Sequence, residues 1–462
     1  MTTVVIKWGG SVLQSSEDVR KLAEVTACYE GRRVIVVSAL YGVTDCLERV
    51  LNTLPNGSDA IELLIDELYG KHDTVLAHAG RYADSARVTL RERLSVLRRY
   101  LILVDSLGYV PPDVRDAILC HGERLVSCVA VAVLSNHTSN VVEALPEDIG
   151  LLTDGRYGNA DIILDKAKNY IRRALEEPNI YVVPGFYGVT TEGRITVLGR
   201  GGSDYSAAAL AYCLDAGSAD FYKDVPGFMS ADPKQIHDAV PVPFLDYDEA
   251  AELTYFGAKI LHPQAVALLK TASIPANVFN VRQFKGLAHK ESVIQAQNTS
   301  EGVLKSVAST DDCAVISFSG GGVGVKPGIL ADITGVFSHA EVNIKTVLTS
   351  LTTINVLIAA SDVERCRHLF DHEKIQAVEN IHVDDNVALI AVVGNGINER
   401  YGVVARLLKA FSEKEINVRM LSAGASPCAI YVVVRRADRK EAVGAAHTAL
   451  FAGVQEVGHE NR

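Results

Sequence analysis

Several things this sequence lacks narrow its reading. No stretch of about 18 uninterrupted apolar residues occurs in the 462 residues, so no segment reads as a membrane span and no membrane partner is expected. The opening MTTVVIKWGGSV has neither the charged start nor the long apolar run of a secretory signal, and the expected compartment is the cytoplasm. A basic excess is missing too. Lys plus Arg number 45 against 56 Asp plus Glu, a formal net charge of −11, which argues against nucleic acid as a partner because no surplus offsets the phosphates. The eight cysteines, at 28, 46, 120, 128, 213, 313, 366 and 428, form no CxxC pair and no Cys/His cluster at zinc-ligand spacing, and they read as reduced core thiols. Neither GxxxxGK[ST] nor GxGxxG is present, which removes the usual support for a P-loop or a dinucleotide fold. With 48% hydrophobic and 22% charged residues the chain has the composition of a folded protein, long enough for roughly three units at ~150 residues each.

What is present alternates strand and helix. Thr3 to Lys7 is a short β-branched run closed by Gly9-Gly10, and Ser15-Ser16-Glu17-Asp18 reads as a helix cap with acids in the first turn. Arg33 to Ser38, Asn140 to Ala144, Ile180 to Pro184 and Ala219 to Lys223 are further apolar strands, separated by helical stretches such as Val114 to Leu134 and Ser203 to Leu214. This rhythm predicts an α/β fold with a largely parallel sheet sandwiched by helices. Between Ile61 and Val104 a charged helical period predicts two helices, an insertion or lid over the sheet. Polar stretches at 285–312 interrupt the rhythm and put a domain boundary near residue 300. Beyond it two units repeat the order strand, glycine turn, helix, strand, with Glu341-Val342-Asn343-Ile344 in one and Glu415-Ile416-Asn417-Val418 in the other after each helix.

Several motifs could carry chemistry. In Lys7-Trp8-Gly9-Gly10-Ser11 the glycines let backbone amides approach an anion and Lys7 supplies a charge, although an ordinary βα turn also uses such glycines. Leu198-Gly199-Arg200-Gly201-Gly202-Ser203-Asp204 crowds an Arg, a Ser and an Asp at one helix start, where Asp204 could cap and Arg200 could fork onto a carboxylate; a capped helix alone leaves Arg200 unexplained. The loop from Tyr222 through Lys223, Asp224, Met229 and Lys234 follows a strand, where open α/β sheets place ligand loops. In Phe256-Gly257-Ala258-Lys259-Ile260-Leu261-His262-Pro263, Lys259 could reach a phosphate, whereas His262 reads as structural before a proline. Ser38-Ala39 with Thr44, and His121-Gly122-Glu123-Arg124, offer hydroxyls and a carboxylate for an amino acid's polar groups.

Taken together and in this order, KWGGS, VVSA with GVTD, HGERLVS, GRGGSDYSAA, KDVPGFMSADP and FGAKILHP resemble the monofunctional aspartate kinases over nearly the whole chain. The resemblance implies an amino-acid-kinase fold over residues 1–300 followed by two ferredoxin-like βαββαβ ACT units, the first at 313–381 and the second at 301–312 plus 382–462. It implies transfer of the γ-phosphoryl group of ATP, with Mg2+, to the β-carboxylate of L-aspartate, giving 4-phospho-L-aspartate for the lysine, threonine and methionine pathway. Lys7 and Asp204 are the implied catalytic residues, with Asp204 positioning Lys7 and polar groups rather than removing a proton. Ser38, Thr44, Glu123, Arg200 and Ser203 would hold aspartate, Glu123 pairing its ammonium and Arg200 a carboxylate. Lys7, Gly9, Gly10, Ser11, Lys223, Asp224, Met229, Lys234 and Lys259 would hold ATP, and no protein side chain is assigned to a metal. Trp8 stands where the motif commonly has Phe, and Lys223 and Met229 where some members carry Thr and Tyr.

In the first ACT unit Lys345 and Leu351 occupy places where acids would serve a lysine effector, so threonine is favoured over lysine, with Asn343, Thr349, Ser350 and the turn at 320–324 as effector-site candidates. Paired ACT units imply a homodimer or a dimer of dimers. The alternatives are a kinase of another acid, such as glutamate, N-acetylglutamate or carbamate, and a catalytically silent ACT-based amino-acid sensor. A dehydrogenase is disfavoured by the missing fingerprint and because the chain stops after the second ACT unit.

Overall fold

A computed structural model describes residues 2–53, 57–258, 260–296, 303–370, 375 and 377–451. One unit comprises Met1–Phe228, Pro241–Thr254 and Lys259–Ser300; the other comprises Met229–Val240, Tyr255–Ala258 and Glu301–Arg462. The short segments 229–240 and 255–258, grouped by sequence with the first 300 residues, thus pack with the C-terminal unit.

The first unit runs β1 (Thr3–Trp8), α1 (Ser16–Ala27), β2 (Arg32–Val37), α2 (Val43–Asn52), α3 (Ser58–Val75), α4 (Ala83–Leu107), α5 (Pro112–Leu119), α6 (His121–His137), β3 (Val141–Glu143), α7 (Pro146–Ile149) and α8 (Leu164–Ala174). It continues through β4 (Ile180–Pro184), β5 (Tyr187–Val189), β6 (Ile195–Val197), α9 (Gly202–Leu214), β7 (Ser218–Lys223), β8 (Phe244–Leu245), α10 (Tyr247–Tyr255), α11 (Pro263–Ala272), β9 (Ala276–Asn280) and β10 (Ser292–Ile294). Eight strands form one sheet in the order β3-β4-β2-β1-β7-β9-β10-β8, parallel except where β10 meets β9. Because β2 and β4 are laid to one side of β1 and β7 returns to the other, the order reverses at β1. The C-terminal ends of β1 and β7 then bound the crevice where open α/β sheets take ligands.

Strand alternation assigns the two faces. Ile6 and Trp8 join a core with α1, α4 and α6, while Lys7 meets Asp204 of α9 on the other face. Ser15 caps α1 in a reciprocal box with Asp18, as its sequence signature predicts. The helix expected over 114–134 is broken at Cys120 into α5 and α6. By length and composition 112–137 could cross a membrane, but 89% of its apolar window is buried in the protein, as in a core helix. The pair α3 and α4 is no lid. Leu90, Leu94, Leu97, Leu101 and Val104 are buried in the α1/α6 core, and Arg93 forks onto Glu143 of β3 (2.8 and 2.7 Å). All eight cysteines are free; seven are buried, but Cys28 is exposed at the end of α1 rather than in the core.

The second unit adds β11 (Ser306–Thr310), β12 (Ala314–Ser319), α12 (Ile329–His339), β13 (Thr346–Thr349), β14 (Thr353–Ile358), α13 (Val363–Phe370), β15 (Asn380–Asp384), β16 (Val387–Val393), α14 (Val403–Glu413), β17 (Met420–Ser426), β18 (Ala429–Arg435) and α15 (Arg439–Phe451). Its sheets are β13-β14-β12-β15 and β11-β16-β18-β17. The first is a consecutive βαββαβ module. The second takes its edge strand β11 from before the first, beside β16 as β15 lies beside β12. The duplication extends to single bonds: Glu341 and Glu415 are both left-handed (φ 53° and 55°), and the amides of Val342 and Ile416 close their helices on Phe337 O and Phe411 O, both at 2.9 Å.

Beneath the crevice Trp8 stacks on Tyr222 (4.8 Å, 24°) and Tyr222 on Phe279 (4.9 Å, 9°). The Tyr222 hydroxyl lies 2.7 Å from that of Tyr29, which donates to Asp220 Oδ2 (2.6 Å), while Asn277 Nδ2 donates to Oδ1 (2.6 Å). Burial pushes the Asp220 carboxyl up, and the Tyr29 and Asn277 bonds pull it back. Removing the shared hydroxyl in Tyr29→Phe leaves Asp220 and Tyr222 short of a partner, which is expected to cost about 1–3 kcal/mol of stability. A urea midpoint equal to wild type would refute this.

Candidate functional site

The site grows from the C-terminal ends of β1, β2, β4 and β7. Lys7, on the α9 face of β1, brings Nζ to 2.8 Å from Asp204 Oδ1. At the end of the neighbouring strand, Lys223 Nζ lies 3.2 and 3.1 Å from Oδ1 and Oδ2 of the same carboxylate. Lys7 and Asp204 are buried, their side chains 6% and 8% exposed, and Lys223 is nearly so at 13%. Burial alone would push the Asp204 carboxyl up, but the ammonium groups of Lys223 and Lys7 outweigh it and hold it at about 2. Burial brings Lys223 down to about 8, with Asp204 opposing and Lys7 adding to the fall. Two cations against one anion leave a net charge of +1, an anion-seeking centre.

Asp204 is aimed by the start of α9. Gly201 precedes the helix at φ 73°, and a Cβ there would lie 2.4 Å from His262 Cδ2, so both backbone and packing require glycine. His262 is the structural residue that the sequence indicates, sitting at the start of α11 before Pro263 with its ring against this turn. Asp204 does not cap its helix, because α9 has no side-chain cap and the carboxylate is taken by the lysines. Ser203, 8% exposed, packs over Gly185 just after β4, where a Cβ would stand 2.9 Å from the serine's own. That contact lets α9 approach the strand ends, and the glycine after Pro184 is the only sign of it in the sequence.

Beside this centre lies an acid with a different fate. Glu123, in the first turn of α6, is 4% exposed; Oε1 accepts from the Ala39 amide (3.1 Å) and Oε2 has no partner. Burial raises the carboxyl to about 8, against the lowering pull of the Ala39 amide and of Lys7. Gly122 allows this closeness, since a Cβ there would meet Ala39 Cβ at 2.9 Å, and Thr44 Oγ1 lies 3.7 Å from the same point. Ser38 packs over Gly10, and its amide donates to Trp8 O (3.2 Å). Ser11 Oγ donates to Asp224 Oδ1 (2.8 Å), and the Gly9 amide to Tyr222 O (3.3 Å), joining the glycine turn to the end of β7. Arg200 is exposed one residue before Gly201 and acts on the His262 ring electrostatically.

Lys7, Gly9, Gly10, Ser11, Ser38, Thr44, Glu123, Arg200, Ser203, Asp204, Lys223 and Asp224 all belong to this unit. Met229 and Lys234 belong to the other, and Lys259 lies outside the described residues. In the second unit Ser350 Oγ closes the β13–β14 hairpin against Thr353, and Thr349 is exposed beside it. The turn at 320–324 packs on that hairpin, the Gly324 amide donating to Leu351 O (3.0 Å). Asn343 Nδ2 donates to Tyr255 Oη (2.7 Å) and Lys345 Nζ to Asp312 O (2.6 Å). A cavity of about 330 Å³ opens away from the candidate residues, between Lys168, Tyr212 and Asp215 and the chain entering β7 and β9.

Residues 2–280 match the profile of the Amino acid kinase family, and 308–368 and 390–450 each match an ACT domain. The chain is 28% identical over 459 residues to the aspartokinase of Corynebacterium glutamicum, covering 97% of this chain and 96% of that one. It is 25% identical over 465 residues to the bifunctional aspartokinase/homoserine dehydrogenase of Buchnera aphidicola, covering 97% of this chain and 56% of that protein, and so spans about half the length of that relative. The crystal structure of E. coli aspartokinase III in complex with aspartate and ADP is similar with a TM-score of 0.86 at 23% identity, covering 97% of this chain and 100% of that one. That of Clostridium acetobutylicum aspartate kinase gives 0.75 at 22%, with 97% and 100% covered.

The Glu123 shift has a stability signature. Its folded value, about 8, lies above the ordinary 4.5, so the folded state holds a proton that the unfolded state has lost. Its contribution is present below 4.5 and is lost as pH rises to about 8. Glu123→Gln should therefore match wild type in acid and become progressively more stable than wild type across that window, read by urea unfolding. A gap that does not change with pH would refute the shift.

Proposed function

On the premise that the chain belongs to the amino acid kinase family and carries two ACT domains, we propose that it is an aspartate kinase, phosphorylating the β-carboxylate of L-aspartate with ATP to give 4-phospho-L-aspartate and ADP. The observation that carries the reading is the buried excess of positive charge, Lys7 and Lys223 around Asp204, at the switch point of the sheet and within electrostatic reach of the half-satisfied Glu123.

In this mechanism an oxygen of the substrate carboxylate attacks the γ-phosphorus, the new O–P bond forms as the bond to the β,γ-bridging oxygen breaks, and ADP departs. No general base is needed, because the attacking carboxylate is ionised at neutral pH. That suits Asp204, which at about 2 is a poor base and a good anchor: it aligns two ammonium groups without neutralising both. Lys7 offsets charge on the transferring group, and Lys223 with Gly9, Gly10 and Ser11 receives the phosphates. The substrate ammonium meets Glu123 and draws its carboxyl back to the ionised form. Arg200 clamps a carboxylate, and Ser38, Thr44 and Ser203 supply hydroxyls. Magnesium bound to the nucleotide would supply charge neutralisation at the phosphates, and no protein side chain is assigned to it. Met229, Lys234 and Lys259 complete the nucleotide site in this reading. The same reading places the enzyme in the cytoplasm, in the lysine, threonine and methionine pathway, as a homodimer or dimer of dimers.

A magnesium- and ATP-dependent hydroxamate assay tests the proposal. Aspartate should turn over and glutamate should not; Lys7→Ala should lower kcat at least about 100-fold. Glu123→Gln should raise the aspartate KM about tenfold with the ATP KM little changed. Turnover on glutamate but not aspartate would favour another acid, and effector binding without any turnover would favour a silent sensor.

Threonine is the favoured effector. Lys345, two residues after Asn343 and with its ammonium bonded to Asp312 O, brings a positive charge to this segment that disfavours a second ammonium. Threonine should inhibit; submillimolar inhibition by lysine alone, or a stable monomer in light scattering, would overturn the regulatory half of the proposal.

A further inference from the structure

The loop after β7 changes unit within five residues. Lys223 and Asp224 end in the crevice, and Phe228 is still tied to the first unit, its amide donating to Ser292 Oγ (2.9 Å). From Met229 to Val240 the chain is built into the second unit. Met229 O accepts from Ser306 Oγ (2.8 Å) and Ser230 O from the Val307 amide (2.8 Å), both on β11. Ala231 is buried in the apolar core under β16 and α15, with Ile236 and Ala239 packed against it. Ser230 is fully buried; its Oγ accepts from the Val240 amide (2.9 Å) and lies 2.8 Å from His447 Nε2 on α15. His447 is 7% exposed and stacks on Phe451 (4.8 Å, 13°). Burial lowers its pKa, with Asp238 pulling the other way, and the ring shares one hydrogen bond with the Ser230 hydroxyl.

Closing a twelve-residue surface loop requires only its own turns. A buried serine bonded to both the loop's far end and a helix of the regulatory unit is an additional constraint. We infer that Ser230 and His447 are positioning residues that fix the loop bearing Met229 and Lys234 to α15, so that the second ACT domain sets the affinity for nucleotide. Neither residue touches substrate; both act through the loop. The inference rests on the reading of Met229 and Lys234 as nucleotide-contacting. It also gives that reading a direction: a shift of α15 or β11 is felt first in the affinity for ATP.

Steady-state kinetics of the full chain provides the test. Ser230→Ala and His447→Phe should raise the KM for MgATP about three- to tenfold, the loss of one buried hydrogen bond. The aspartate KM and kcat should stay within about twofold, a split that general destabilisation would not produce. His447→Gln, which keeps a hydrogen-bonding group near Nε2, should restore the MgATP KM. An unchanged MgATP KM, parallel changes in both KM values, or a Gln variant no better than Phe would overturn the inference. MgADP titration by calorimetry separates the two levels. Wild type that binds no MgADP would bring down the nucleotide-loop reading and this inference with it, whereas equal binding by wild type and variants would overturn the inference alone.

Discussion

Two buried ammonium groups held by a single carboxylate form the constraint around which the first unit is organised. Lys7 and Lys223 end adjacent strands, and without Asp204 between them burial and mutual repulsion would disfavour their charges. One carboxylate is enough to keep the group ionised and too little to neutralise it. The surplus of one positive charge, set behind a glycine turn, is what a phosphate chain would meet. Such a centre is expensive in isolation, since buried ions lose their hydration and regain it only through well-placed partners. The surrounding structure supplies that placement: Gly201 and Gly185 admit the start of α9, and the stacked Trp8, Tyr222 and Phe279 with the Tyr29–Asp220–Asn277 bonds support the strands from the opposite face.

The same unit holds two carboxylates in opposite states. Asp204 is pulled down by two ammonium groups, and Glu123 is pushed up because its burial outweighs the Ala39 amide, its own amide and a more distant lysine. Environment alone separates them. In the proposed reaction this division matters: one acid stays charged throughout and orders the lysines, while the other takes up charge when a ligand ammonium arrives, so that amino-acid binding is coupled to ionisation.

The second unit is a duplication written down to its helix-end hydrogen bonds, yet the two copies are not threaded alike. The first copy owns all of its strands, whereas the second completes its sheet with β11, from upstream of the first. That strand also receives the 229–240 segment, through Met229 and Ser230. The ACT domains and the loop that follows β7 are therefore parts of one folded body.

Much of this architecture is legible in the order of residues along the chain. The strand–glycine–helix rhythm, the Ser15 cap, the repeat of Glu341 and Glu415 and the clustering of charged residues at strand ends depend on neighbours within a few positions, and local backbone preferences carry that information. From its chain neighbours Asp204 reads as a cap, and only the resemblance sets it against Lys7; the sheet order, with β7 returning beside β1, adds Lys223. For the same reason the break at Cys120, the packing of α3 and α4 into the core, the bond from Lys345 to Asp312 and the membership of 229–240 in the second unit are out of its reach. By itself the sequence determined which segments are strands and helices and which residue types stand at their ends. Tertiary structure alone decided which charges meet, because Lys7, Asp204 and Lys223 become neighbours only when the parallel strands are ordered, and a pKa answers to what is close in space and not to what is close in the chain.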